Sequence, residues 1–260
     1  MRQIEFENLS TSFMGRRVYY FDSLGSTNDY VKENAGNMEN GDTVITLNQF
    51  SGRGRMGHVW SVPPGESLAF SILIKDIEFD NAVQLLPHCA GMAVVYSLRE
   101  FGVSEPVIKW PNDVLVGNRK VCGILCESVV GESMSAVIGI GVNLMQNSEF
   151  FRKAGLPNGA SLRMMGVNAD AFDLAARVTG NLEKLVMTVK GAGDFAPLLD
   201  EYCSMCINTG RTVKVIRDGV ERTGTALTVN RDGSLAVDFG SDVQPVFSGE
   251  VSIRGEDGYY

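Results

Sequence analysis

The stretch from Val107 to Val142 constrains the fold of this 260-residue chain more than any other. Four strand-like runs follow one another there, at 107–110, 114–116, 120–127 and 134–142, and Gly-Asn-Arg at 117–119 makes a hairpin turn between the second and third. A segment this dense in strands commits the middle of the chain to a sheet. Gly123 interrupts the third run, and Gly139 and Gly141 fall on one face of the fourth. Glycine inside a strand removes a side chain where a ligand or another backbone comes close. The pair at 139 and 141 predicts a flat floor under a planar ligand.

Around this core the pattern alternates between strand and helix. Val18–Phe21, Thr43–Leu47 and Ser67–Lys75 read as strands. Residues 29–35 form a short helix, with capping candidates over 23–28 and Gly36 as its stop. Leu85, Leu86, Met92, Val95 and Leu98 recur at helical spacing over 81–101, where Pro87 predicts a kink or a late start. Asp170–Val189 reads as a long amphipathic helix, and residues 195–207 as a shorter one. After Asn208 the composition changes to short strands at 211–217, 220–229, 234–239 and 243–247. Asp218-Gly219 and Arg231-Asp232-Gly233 are turns between them. That pattern predicts a small β-barrel. The expected division is a domain over 1–206 and a second over 207–260.

Net charge is −8 and the sequence pI near 4.9, which argues against general nucleic-acid binding. No apolar run reaches the roughly eighteen residues that span a bilayer, and the N-terminal residues lack the apolar core of a signal peptide. The expectation is a cytoplasmic protein without membrane or DNA partners. Five cysteines, at 89, 122, 126, 203 and 206, contain one Cys-x-x-Cys pair, and only His58 and His88 could join it. Neither a structural zinc site nor a disulfide framework is expected from that set.

Four segments carry chemistry. Gln49 to Trp60 places Gly52, Gly54 and Gly57 among Arg53 and Arg55, in a connection of about twenty residues between two strands, a length that is uncommon unless functional. Glycines let the backbone close on a ligand, and arginine offers a planar fork of donors to carboxylate or phosphate. Lys109-Trp110-Pro111-Asn112-Asp113 gathers a lysine, an amide and a carboxylate at a strand end. It reads equally as an Asn-Asp turn and as a phosphate-binding lysine beside oxygen ligands for Mg²⁺. Arg119 to Glu127 carries Lys120, which alternates with inward-looking residues or else guards an edge. Ile138-Gly-Ile-Gly-Val-Asn143 is the fourth.

Together with Ser26-Thr27-Asn28, these segments resemble the biotin protein ligases, in the family's order and at its separations, over roughly residues 18–254. The resemblance implies an α+β catalytic core of the class II aminoacyl-tRNA synthetase-like, biotin–lipoate ligase type, a mixed sheet flanked by helices, with a C-terminal SH3-like β-barrel. It implies the short class, with no DNA-binding domain ahead of Val18. It implies that biotin is activated with MgATP to biotinyl-5′-AMP and passed to a lysine of a biotin carboxyl-carrier domain. It also implies biotin contacts from Ser26, Thr27, Asn28, Gln49, Gly52, Arg53, Arg55, Lys120, Gly123 and Gly139. ATP contacts fall to Arg53, Arg55, Trp60, Lys109, Asn112, Lys120, Gly141 and Asn143. Lys120 and Arg55 would be catalytic, and Asn112 would reach Mg²⁺ on the phosphates; no tightly bound cofactor is implied. Asp113 is either a site residue or a turn cap, with the cap favoured. His58-Val59 departs from the basic residues common in the family, which implies a weaker grip on the polyphosphate. Alternatives are a lipoate-type ligase and a non-catalytic biotin sensor. A homodimer is compatible with exposed strand edges.

Overall fold

The computed structural model describes residues 1–57, 59–60, 63–77, 81–129, 134–248 and 252–255. In chain order the strands are β1 (Arg2–Ile4), β2 (Val18–Phe21), β3 (Thr43–Thr46), β4 (Gly52–Arg53), β5 (Val59–Trp60), β6 (Ser67–Ile74), β7 (Val107–Lys109), β8 (Asp113–Val116), β9 (Arg119–Val129) and β10 (Ser135–Asn143). β11 (Thr212–Arg217), β12 (Val220–Val229), β13 (Leu235–Asp238), β14 (Val243–Val246) and β15 (Ser252–Gly255) follow. The helices are α1 (Thr27–Asn34), α2 (Ala82–Glu100), α3 (Ser148–Lys153), α4 (Ala171–Ala192) and α5 (Leu199–Met205).

The main sheet has eight strands in the order β1-β2-β3-β6-β10-β9-β8-β7. Only β2 and β3 run parallel, so the sheet is mixed, as expected. Its centre, β6 and β10, is buried on both faces, and the strand period of two divides the work. Phe70, Ile72, Ile138 and Ile140 join α2 and α4 in the large core, whereas Leu73 and Val137 join Val31, Ala35 and Met38 beneath α1. The site lies on the α1 face. There the next inward positions are small: Ser71 and Ala69 on β6, Gly139 and Gly141 on β10.

Local signals explain most boundaries. Ser26 accepts from Asp29 N and starts α1; Asp170 accepts from Phe172 N and Asp173 N and starts α4. Gly193 ends α4 at φ 79°, a left-handed conformation suited to glycine. Pro87 neither delays nor ends α2, which runs unbroken from Ala82 to Glu100. The missing bond falls in the second turn, and the apolar burial along the rest of the helix outweighs it.

The C-terminal strands form a five-stranded antiparallel sheet in the order β14-β13-β12-β11-β15. The expected short strands of the small C-terminal β domain are therefore present; among the described residues no ladder joins β14 to β15. Before it begins, Cys206 bridges Ile108, Ile207 N donates to Ile108 O at 2.8 Å, and Trp110 N donates to Asn208 Oδ1 at 2.8 Å. Residues 206–208 thus lie along the edge of the main sheet. Among the described residues no helix is long and apolar enough to cross a membrane.

Candidate functional site

One row of cross-strand partners makes the floor of the site. Ala69, Gly141, Gly123, Asp113 and Lys109 stand in register across β6, β10, β9, β8 and β7. A cavity of about 400 Å³ opens over this row. Of the residues implied for ligand contact, Ser26, Thr27, Asn28, Gln49, Arg53, Arg55, Trp60, Lys109, Asn112, Lys120, Gly123, Gly139, Gly141 and Asn143 all line it. Gly52 does not. It pairs with Trp60, and a Cβ there would strike the Gln49 amide and the Trp60 carbonyl, so its role is backbone clearance behind the wall.

The glycine floor is not bare, contrary to the sequence expectation. A Cβ on Gly141 would meet the Trp60 indole at 3.1 Å, one on Gly123 would meet Lys120 at 3.1 Å and Trp60 at 3.2 Å, and one on Gly139 would collide with the Asn28 amide. The pairing of β4 with β5 brings Trp60 back over the sheet, and the glycines make room for its ring. The planar surface offered to a ligand is therefore indole, not backbone. Trp60 Nε1 is buried and makes no hydrogen bond among the described residues.

Above Gly139 lies a neutral polar cluster. Gln49 Oε1 accepts from Thr27 N at 2.8 Å and Thr27 Oγ1 at 3.1 Å. Ser71 Oγ is 2.7 Å from Thr27 Oγ1 and 2.6 Å from Asn28 Oδ1. Asn28 Nδ2 donates to Leu125 O at 3.1 Å and Glu127 Oε2 at 2.8 Å. Above Gly141 and Gly123, two residues or about 7 Å along β10, the character changes to cationic. Lys109, Lys120, Arg55 and Arg254 all lie close enough to Lys109 or Asp113 to influence their charge, around a single carboxylate. Asp113 is buried, lines the cavity and pairs with Lys120 Nζ at 2.6 Å. Lys120 Nζ also stands 5.5 Å from the centre of the Trp60 ring. Burial pulls Lys109 down to about 8; Asp113 opposes the shift, and Arg254, Lys120 and Arg55 reinforce it. Burial likewise lowers Arg55 against the pull of Asp113.

Simple alternation does not bring Lys120 into this cluster. Three positions separate it from Gly123, so strict period two would put the two on opposite faces. A bulge corrects this: Val114 pairs with Cys122 but Leu115 with Lys120, leaving Val121 as the extra residue. The Lys120 backbone then turns to a new partner, with Lys120 N donating to Asn158 O at 2.7 Å and Ala160 N to Lys120 O at 2.8 Å.

The two arginines of the loop diverge. Arg55 enters the site, with Nη1 donating to Asn112 Oδ1 at 3.1 Å and Nη2 to Ser248 O. Arg53 lines the cavity but pairs with Asp29 and Glu127 at its rim. Asn112 Oδ1 accepts from Arg55 Nη1, and Asn112 Nδ2 donates to Ile124 O at 3.0 Å, so the amide is held from both ends. No group of three metal-ligating side chains occurs among the described residues. His58 and the Val59 side chain lie outside the described residues.

Sequence reading missed two walls. Phe150, Phe151 and the turn 155–159 close one side, and Ile253 and Arg254 of β15 reach in from the C-terminal sheet. The Gly-Leu-Pro-Asn-Gly run at 155–159 is a turn signal, but nothing local ties it to Lys120. Arg254 lies well over a hundred positions along the chain from its neighbours in the cluster and leaves no local signal.

The fold and its matches define the class of protein. The model of the biotin/lipoate A/B protein ligase family matches residues 20–143. The bifunctional ligase/repressor BirA of Escherichia coli (strain K12) is 29% identical over 243 residues, covering 92% of this chain and 75% of that one. The biotin–[acetyl-CoA-carboxylase] ligase of Mycobacterium tuberculosis is 29% identical over 235 residues, 87% of this chain and 85% of that one. Among solved structures, the Aquifex aeolicus biotin protein ligase in complex with biotin and ATP superposes with a TM-score of 0.79 at 25% identity, covering 92% of this chain and 99% of that chain. Over most of its length the chain is similar to the biotin protein ligases, and the family model matches a little under half of it.

Proposed function

We propose that this chain activates biotin with ATP to biotinyl-5′-AMP, releasing pyrophosphate, and then transfers biotin to a lysine of a biotin carboxyl-carrier domain, releasing AMP. The observation that carries this reading is the division of one cavity into a neutral polar end at Thr27, Gln49 and Asn28 and a cationic end at Lys109, Lys120, Arg55 and Arg254. A ureido head group matches the first, since it both donates and accepts hydrogen bonds. A carboxylate meeting a triphosphate matches the second, because the two anions repel until cations gather them.

The residue roles follow from this geometry. Lys120, held by Asp113 beside Trp60, meets the carboxylate oxygen and the α-phosphate as charge develops there. Lys109 and Arg254 hold the remaining phosphates, with Mg²⁺ arriving on ATP as part of the substrate. Arg55 bridges Asn112 and the segment at Ser248, so it closes the cationic end. Trp60 covers the mixed anhydride against water. Thr27, Gln49 and Asn28 hold the ureido group, with Ser26 fixing the start of α1 behind them. The reading places the protein in the cytoplasm, where carboxylases are modified, and divides the chain near residue 207. The unpaired outer edge of β1 is where a second copy would add in a dimer.

The test is incubation of purified chain with MgATP, biotin and a carrier domain, read by streptavidin blot. Biotinylation is expected, with Lys120→Ala reducing adenylate formation by about a hundredfold or more. Lipoylation of a lipoyl domain in place of biotinylation would overturn the reading.

A further inference from the structure

Ser71 lies in the middle of β6, fully buried, and no step of the proposed chemistry uses it. It is paired with Val44 of β3 and Gly139 of β10. Thr27, Asn28 and Gln49 line the neutral end of the cavity, and Ser71 stands behind them. Its hydroxyl meets two oxygens, Thr27 Oγ1 at 2.7 Å and Asn28 Oδ1 at 2.6 Å. A hydroxyl has one proton, so what the neighbours can donate decides the sense of the two bonds.

The Asn28 amide is the fixed end. Its Nδ2 donates to Leu125 O at 3.1 Å and to Glu127 Oε2 at 2.8 Å. A turned amide would set its oxygen against a carbonyl and a carboxylate, so Oδ1 faces Ser71. Burial raises the Glu127 carboxyl, but hydrogen bonds from Lys32 and Asn28 and the charges of Lys32 and Arg53 hold it below its ordinary value. Glu127 therefore accepts and does not donate. An amide oxygen has no proton to give, so the Ser71 proton goes to Asn28 Oδ1 and Ser71 turns a lone pair to Thr27. Two facing lone pairs at 2.7 Å would repel, which draws the Thr27 proton towards Ser71. The other acceptor of that proton, Gln49 Oε1, is further off at 3.1 Å and already takes Thr27 N. With either acceptor the Thr27 proton is engaged inside the protein.

We propose that Ser71 is a positioning residue for substrate selection: it holds the Thr27 hydroxyl in one sense, so that Thr27 offers the cavity lone pairs only and accepts an N–H from the bound ring. The inference rests on the biotin reading of the cavity. A ureido nitrogen carries the hydrogen this arrangement requires. A ring with oxygen at that place would set lone pair against lone pair and leave a buried acceptor unsatisfied, which a pocket rejects more strongly than a missing methylene.

The probes are biotin and the two cyclic carbamates in which one or the other ureido N–H is replaced by oxygen. Each is titrated calorimetrically, without ATP, into the wild-type chain, Ser71→Ala and Ser71→Cys. The wild type is expected to prefer biotin to one of the carbamates by about a hundredfold or more. Ser71→Ala releases the Thr27 proton to the ligand, and that preference is expected to fall about tenfold while the preference over the other carbamate stays as it was. Ser71→Cys, a weaker acceptor, is expected to fall between the two chains. In a Thr27→Val background, Ser71→Ala is expected to move neither preference. Equal losses for all three ligands in Ser71→Ala would mean a purely structural role and overturn the proposal. So would preferences identical to those of the wild type. A wild-type chain that binds none of the three would instead sink the biotin reading, and this inference with it.

Discussion

Lys109 shows how much a single side chain's surroundings decide. It is 5% exposed, in register with Asp113, and lies among Lys120, Arg55 and Arg254. Taking an ammonium out of water disfavours its charge, which is why it titrates near 8 and not at its ordinary 10.5. Such a lysine is charged at neutral pH and loses its proton just above it. Bound phosphate would restore the proton, so nucleotide binding should take up protons near pH 8. The KM for ATP in adenylate formation should therefore rise as pH passes 8. Lys109→Arg, whose cation does not titrate in this range, should flatten that rise. A KM profile unchanged from pH 7 to 9.5 in the wild type would refute this. The sign for stability is opposite: between about 8 and 10.5 the unfolded chain holds the proton and the folded one does not, so Lys109 makes the fold more stable as pH rises through that window.

At the scale of elements, sequence pattern located the long helices and the main strands, where periodic burial and caps mark the ends, but not β1, β4, β5, β15 or α3, which are too short to carry a pattern. It also brought together the loop arginines, the Lys109 segment and the glycine strand, since each carries its residues within a few positions. What it could not supply was orientation. The Val121 bulge turns Lys120 onto the cavity face, and the pairing of β4 with β5 lays Trp60 over the glycines; both depend on partners distant in sequence. Asp113 was ambiguous for the same reason, because its partner Lys120 arrives from the next strand. A further long-range tie joins α4 to the N-terminal segment. Glu183 is buried, and its carboxylate accepts from Ser12 N at 2.5 Å, Phe13 N at 2.9 Å and Met14 N at 2.8 Å. Hydrogen bonds to a charged group contribute more than neutral ones, and three orphaned amides would be left if it went. Glu183→Ala should lower unfolding stability by about 3 kcal/mol, read from urea denaturation, and should speed amide exchange at residues 12–14. A loss below about 0.5 kcal/mol, the range of an ordinary surface change, would show that the anchor contributes nothing.

At the scale of the whole molecule, one carbonyl of the C-terminal sheet is shared by two buried side chains of the main domain. Gly233, in the turn between β12 and β13, has φ 83°, and a Cβ there would meet His88 and Leu85 at 3.0 Å. Its oxygen lies 2.8 Å from His88 Nε2 and accepts from Trp110 Nε1 at 3.1 Å. Trp110 belongs to the strand end that carries Lys109 and Asn112, so the seat of the C-terminal sheet and the phosphate end of the cavity share a residue. His88 is fully buried between Phe195 and Tyr202. Burial drives its pKa down to about 4, against the pull of the Gly233 and Pro111 carbonyls and of Asp232. Between 6.5 and about 4 the unfolded chain binds a proton that the folded chain refuses, so the stability His88 contributes is present above 6.5 and is lost as pH falls towards 4. The slope is about 1.4 kcal/mol per pH unit for a single such group. His88→Gln keeps an amide donor for Gly233 and cannot titrate. The variant should be less stable than the wild type at pH 7.5, because it packs less well against the two rings, and the gap should shrink as pH falls from 6.5 to 4.5. Urea denaturation of both chains across that range checks it. Parallel stability profiles would show that His88 is not the group through which acid loosens the junction.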